Sequence, residues 1–229
     1  NRNTFACRTG TDEQHMIELV QQIFNGLAIG AVYTLIGIGL TIVFGILGIA
    51  HFAHGVVAMS GGYVAFILIE KFGLPFFAAV FLSMLAGALF GMLIERIAYR
   101  PVQNAPPINA FIIALGLTMM LDGLNLLTFG PDQIVVRTPY THVYNFLGIV
   151  VTELRIVVLS CTALLLVLMW LFVSRTKTGR AIRAVAQNRG AATLMGVNAN
   201  AVAYVVFGLS SALGVAGGAL VGAMLALAP

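Results

Sequence analysis

Residues 174–200 read SRTKTGRAIRAVAQNRGAATLMGVNAN, between two long apolar runs. The stretch carries five positive charges (Arg175, Lys177, Arg180, Arg183 and Arg189) and no negative one. Short loops rich in Lys and Arg stay on the cytoplasmic side of a membrane, so this one sets an orientation. It is also too long and too patterned for a connector, and it reads as a docking element.

The rest of the chain agrees with a membrane setting. Of 229 residues, 60% are hydrophobic and only 9% charged, with a mean hydropathy of +1.00. Soluble domains carry roughly a quarter charged residues. Several runs reach the ~20 apolar residues that cross a bilayer as a helix. They are continuously apolar and lack the period-two alternation of a barrel. The fold class is therefore an all-α polytopic membrane protein. The net charge of +4 sits mostly in short loops, where the positive-inside effect accounts for it, and does not indicate nucleic acid. Cys7 and Cys161 form neither a disulfide framework nor a metal motif, and Cys161 reads as a small packing residue.

Residues 1–15 are polar and mixed in charge, and Met16 follows them. They are expected to be a non-native or disordered tail, with the transmembrane domain at 16–229. The chain stops at Ala228-Pro229 directly out of an apolar run, and a C-terminal truncation is expected. About six spans are expected, at 17–48, 49–69, 74–98, 107–129, 149–173 and 201–228. The junction at 45–55 reads equally as a turn between two spans or as one broken helix. With 174–200 inside, alternation places Asp132 to Asn145 outside, the Arg96/Arg100 loop inside and the N-terminus outside.

Two spans repeat small residues every fourth position: Ala79, Ser83, Gly87 and Gly91, then Ser210, Gly214, Gly218, Gly222 and Ala226. That spacing stacks them on one helix face, so two backbones approach closely in lipid. Helix packing within the bundle is the plain reading; a conduit wall or subunit seam is the other.

Within the basic segment, Thr178 is a reasonable N-cap. Arg180, Arg183 and Gln187 share a face, with Ile182, Val185 and Ala186 broadly opposite. Gly190 is expected to break the helix, and Gly196 is a natural residue just past its end. From pattern alone, such a helix commonly lies on membrane lipid headgroups.

The run TKTGRAIRAVAQNRGAATLMGVNANAVA resembles the cytoplasmic loop of permease subunits in the branched-chain amino acid ABC transporter family. GLAIGAVYTLIGIGLTIVFGILGIAHFAHG resembles that family's first span and its FAHG signature. GGYVAF, ERIAYRPV, APPINAFIIALGLTMML and FGP follow in order, so the resemblance covers about residues 17–229. It implies a type II-like importer permease fold. The subunit would form half of a transmembrane conduit in a bacterial-type inner membrane. A related second permease would complete it, separate ATP-binding subunits would drive it, and a periplasmic substrate-binding protein would deliver cargo. The resemblance places coupling to the ATP-binding subunit on this loop, at Gly179, Arg180, Arg183, Gln187, Arg189 and Gly196. It points to branched-chain or similar aliphatic amino acids as cargo. The chain departs from the family pattern at His51, Val56, Asp122 and Gly190, and close relatives carry urea or short amides.

His51, His54, Asp122 and Asn125 are the polar residues expected on a translocation path. His51 and His54, three apart, could share a helix face, but a zinc site would need two further ligands and none is placed to help. Interhelical hydrogen bonding is the plainer role. Asp122 either faces a cavity or reaches interfacial water near the outer end of its span. Glu95 and Arg96, at a span end, are expected to snorkel. No Gly-rich phosphate loop and no nucleophile–base grouping suggests an enzyme. No cofactor is implied, and ATP hydrolysis is expected on partner subunits. The competing classes are a urea or short-amide permease and a self-sufficient channel or secondary transporter.

Overall fold

The architecture is built on its last helix. The computed structural model describes all residues except 1–2, 49–50, 104, 137, 141, 147–148, 226 and 228–229. Six apolar helices carry the bundle: α1 (Asn3–Leu47), α2 (His54–Glu70), α3 (Phe76–Ile94), α4 (Pro107–Phe129), α5 (Glu153–Arg175) and α8 (Ala199–Met224). Two short helices, α6 (Lys177–Gln187) and α7 (Arg189–Leu194), lie between α5 and α8. Five helices are long and apolar enough to cross a bilayer; within α1 that part is Met16–Leu47, and α2 is shorter at 17 residues.

Helix α8 packs against α1, α2 and α3, and its small residues make this possible. Between helices already in lipid, close van der Waals packing replaces the hydrophobic effect as the driving force. A methyl group on Gly218 would collide with the Ala58 carbonyl, and one on Gly91 with Ser211 and the Phe207 carbonyl. Gly87 faces Val215, Gly214 faces His54 and Gly222 faces Leu227. The fourfold stripes of α3 and α8 are thus turned toward helix contacts inside this chain. Ala226 lies outside the described residues.

The junction at 45–55 separates two helices, and α2 begins deep in the bundle. α1 is followed by Gly48, whose φ of +67° is a left-handed conformation open to glycine at little cost. His54, the first residue of α2, reaches the Ile36 carbonyl through Nε2 at 3.0 Å. Ile36 precedes the end of α1 by three turns, about 16 Å at ~1.5 Å per residue. The chain therefore climbs back along α1 before α2 starts. Seventeen residues give α2 a length of about 25 Å, short of the ~30 Å hydrocarbon layer. Irregular backbone at this depth must be buried in protein or line a cavity. His51, Ala53 and His54 are indeed buried, and the His54 N–H closes a turn on the His51 carbonyl at 3.1 Å.

Two sequence expectations need correction here. Residues 149–152, expected to open the fifth span, form strand β2 (Ile149–Thr152), paired antiparallel with β1 (Val143–Phe146). The run Ile-Val-Val-Thr is β-branched throughout and suits a strand, so α5 begins only at Glu153. Glu95 does not snorkel: it is 1% exposed, because the turn after α3 is wound as a π-helix (Glu95–Tyr99) before a 3-10 turn at Arg100–Val102. Arg96, by contrast, is exposed.

Two tertiary links sort the loops into two ends. Ile134 bridges to Leu227, just past α8. Arg189, the first residue of α7, bonds to Gln103, past the turn that follows α3. The loops after α3 and α5 thus share one end, and the loop after α4 lies at the other with the C-terminal end of α8, as charge alternation requires.

Candidate functional site

The segment between α5 and α8 folds back under the bundle. The Thr176 side chain, not that of Thr178, caps α6 by accepting from the Gly179 N–H at 2.9 Å. Gly179 is required sterically, since a Cβ there would strike the Phe172 and Val173 carbonyls at the end of α5. The break before α7 comes at Asn188, not Gly190: Asn188 caps the new helix by accepting from the Ala191 N–H at 2.9 Å. An Asn side chain competes for backbone donors and starts a helix more readily than a Gly breaks one. Gly196, with φ +86°, ends the segment.

Ile182 and Val185 are buried, in one cluster with Tyr99, Val206 and Phe207. Arg180, Arg183, Gln187 and Arg189 are exposed, while Ala186, expected on the inner face, is exposed as well. Arg183 also donates to the Val173 carbonyl. Beside these charges stand Leu194 and Met195, 90% and 85% exposed. Sequence reasoning passed over this pair; two apolar residues directly before a helix-ending glycine were the available signal. The arrangement is a polar face with an apolar tip.

Deeper in the bundle, the histidines join separate elements. The His51 Nδ1 meets the Tyr99 hydroxyl at 2.8 Å. The His54 Nε2 donates to the Ile36 carbonyl, since a carbonyl only accepts, which leaves Nδ1 of the neutral ring as an acceptor. The Ser210 hydroxyl lies 3.3 Å from that Nδ1 and 2.7 Å from the Gly39 carbonyl. Its single proton has two acceptors, and the shorter contact is to Gly39. His51 and His54 stand edge to face with centroids 6.0 Å apart, on different partners. Among the described residues no group of three His, Cys, Asp or Glu could hold a metal.

A groove of about 720 Å³ runs between α2, α3 and α4. Its lining is mainly apolar, with Ser60, Lys71, Ser83, Asn125 and Thr128 as the polar groups. Asn125 is buried and paired to Ser60, its Nδ2 donating to the hydroxyl at 3.0 Å. Asp122, one turn earlier, is half-buried and does not line the groove. The structure therefore brings Asn125 to the groove, His51 and His54 to the α1–α2 junction, and Asp122 to neither.

Comparison with known proteins bears on these sites. The family described as branched-chain amino acid transport system / permease component matches residues 22–229. The chain belongs to this permease family. The permease is 34% identical over 216 residues to the high-affinity branched-chain amino acid transport system permease protein BraD of Pseudomonas aeruginosa, covering 89% of this chain and 70% of the relative. It is 33% identical over 223 residues to the corresponding protein LivH of Escherichia coli K12, covering 91% and 72%. A probable branched-chain amino acid transport permease protein LivH of Methanocaldococcus jannaschii is 31% identical over 198 residues, covering 81% and 61%. No solved structure matches the permease. Family and bundle together make it an integral membrane component of a transport system.

Proposed function

We propose that this permease forms half of the transmembrane conduit of an ATP-driven importer for branched-chain or similar aliphatic amino acids. A related second permease subunit completes the conduit, ATP-binding subunits dock on the α6–α7 side, and a binding protein delivers cargo from outside. The membrane is the bacterial-type inner membrane, with residues 174–200 cytoplasmic, as their charge favours. Hydrolysis of ATP belongs to the partners.

The observation that carries this reading is the geometry of α6–α7. The Gly179 contact and the buried Ile182 and Val185 hold the segment against the bundle. Its other face offers Arg180, Gln187 and the apolar tip of Leu194 and Met195 to a partner. A helix that merely rests on headgroups would turn its apolar residues to the lipid. The mainly apolar groove beside α2–α4, with Asn125 as a buried amide, suits a net-neutral aliphatic solute.

Reconstitution of the permease with ATP-binding subunits, second permease and binding protein tests the proposal. Saturable uptake of labelled leucine, isoleucine or valine that requires ATP is the expected result. Saturable urea uptake with no competition from those three amino acids would replace the cargo assignment. Uptake without ATP or partners would replace the importer by a self-sufficient transporter.

A further inference from the structure

Gln103 sits between two elements far apart in the chain. Its Nε2 donates to the Glu95 Oε1 at 3.0 Å, and its Oε1 accepts from an Arg189 Nη at 2.8 Å. A primary amide is suited to this place, offering an N–H to a carboxylate and a carbonyl to a guanidinium at once. The Glu95 carboxyl is buried, and its Oε2 has no hydrogen-bond partner among the described residues. Arg100 and Arg96 act on this acid electrostatically, while Gln103 holds its Oε1 and is its link to Arg189, so the placing of the acid depends on where that amide stands.

The two ends of this chain of bonds lead to different parts of the molecule. Arg189 opens α7, on the exposed segment. Glu95 opens the π-turn, and Tyr99, at its other end, holds His51 in the irregular stretch before α2. Single π-turns inside helices recur at functional sites. A cavity of about 410 Å³, lined by Leu47, Gly48, Tyr99, Val102, Gln103 and Arg189 among others, borders the relay. Gln103 therefore has room to swing without repacking the core.

We propose that Arg189, Gln103 and Glu95 form a relay that carries motion of the α6–α7 segment to the π-turn and the α1–α2 junction, with Gln103 as its positioning residue. The proposal rests on the reading that ATP-binding subunits dock on α6–α7. When the segment moves away from the bundle, Arg189 leaves the amide, and Gln103, no longer held from that side, shifts on Glu95. The π-turn then relaxes, and with it the grip of Tyr99 on His51. Return of the segment closes the relay again.

The test uses the complete complex in nanodiscs. Labelled-leucine uptake and phosphate release are measured together. A spin-label distance between exposed Ile97 on the π-turn and exposed Phe72 beyond α2 is read with and without ATP, which needs no cargo and so separates the relay from the substrate assignment. Gln103→Leu removes both bonds at similar size, and Gln103→Glu sets one carboxylate against another. The paired exchange Glu95→Gln with Gln103→Glu moves the acid next to Arg189 and the amide behind it. Both single variants are expected to lower uptake per ATP about tenfold, the factor carried by roughly one charge-assisted hydrogen bond. They also abolish the ATP-dependent distance change, while assembly and basal ATPase stay within about twofold, a change under 0.5 kcal/mol. The paired exchange restores the distance change and most of the uptake. An unaltered distance change in Gln103→Leu overturns the relay. So does a loss that follows falling assembly and is not recovered by the exchange.

Discussion

The Tyr99 hydroxyl and the His51 Nδ1 meet at 2.8 Å with both side chains buried, joining the turn after α3 to the stretch that leads into α2. Edge-to-face contacts of His51 with Tyr99 and Phe207, at centroid distances of 5.4 and 5.2 Å, brace the pair. Tyr99→Phe keeps the ring and removes the bond. It strands a buried imidazole nitrogen, at a cost of about 1–3 kcal/mol. A lower melting temperature of the detergent-solubilised permease is the expected result; an unchanged one would show that the hydroxyl contributes nothing to the junction.

Close approach of α2 and α8 makes a second prediction. Gly218→Val should prevent accumulation of folded permease, because the new side chain meets the Ala58 backbone, which cannot swing aside. Overpacking of this kind costs about 2 kcal/mol or more. Gly116→Ala on α4, where a Cβ meets nothing within 4 Å, serves as the control and should be neutral. Size-exclusion profiles of the two variants decide the matter.

Topology follows from charge and from the two tertiary links. Single cysteines replacing exposed Lys177 and exposed Asp132, in a background lacking Cys7 and Cys161, are treated in intact cells with a membrane-impermeant thiol reagent. Reaction at position 132 and protection at 177 are expected. The opposite pattern would invert the molecule and remove α6–α7 as a site for cytoplasmic partners.

The docking face yields a prediction in which stability and binding part company. Leu194→Ser with Met195→Ser should leave the melting temperature unchanged, because both side chains are already in solvent. Association with the ATP-binding subunits should weaken about tenfold or more, as for loss of an apolar hot spot. Arg180→Glu is a cleaner charge reversal than Arg183→Glu, since Arg183 also holds the Val173 carbonyl. Co-purification yields measured at several salt concentrations separate the two contributions. Full association by the double-serine variant would move the docking site elsewhere.

Polar residues of the fourth helix should also differ in effect. Asn125→Ala breaks the bond to Ser60 in the groove, worth about 1 kcal/mol between helices in lipid. It should slow leucine uptake several-fold with assembly intact. Asp122→Asn, outside the groove lining, should change uptake less. If Asp122→Asn proves the more damaging, the conduit runs along another face of α4.

Much of this molecule could be read without coordinates because the physics involved is one-dimensional. A bilayer requires every backbone group to be bonded within its own segment, so six apolar runs implied six helices. Lys and Arg retention is a property of loop composition, so Arg175, Lys177, Arg180, Arg183 and Arg189 carry the expected orientation that cysteine labelling tests. The family motifs from FAHG to GRAIRAVAQNR are local strings as well. Helix punctuation was legible only to within a turn: Thr176 caps where Thr178 was expected, because the choice depends on how Gly179 seats against α5.

What tertiary structure alone decided concerns residues whose environment is set by distant partners. Glu95 looked like a snorkelling end residue, yet a π-turn buries it against Gln103. The depth at which α2 starts depends on His54 reaching Ile36 and on Ser210 standing beside it. Between Asp122 and Asn125, the rotation of α4 against Ser60 selects the amide for the groove. Leu194 and Met195 remain exposed because α7 turns Ala192, and not them, toward the bundle. Burial of a polar group or exposure of an apolar one is a pairwise quantity, set by partners from 8 residues away, as for Glu95 and Gln103, to 156, as for His54 and Ser210, and composition and periodicity hold no record of the pairing.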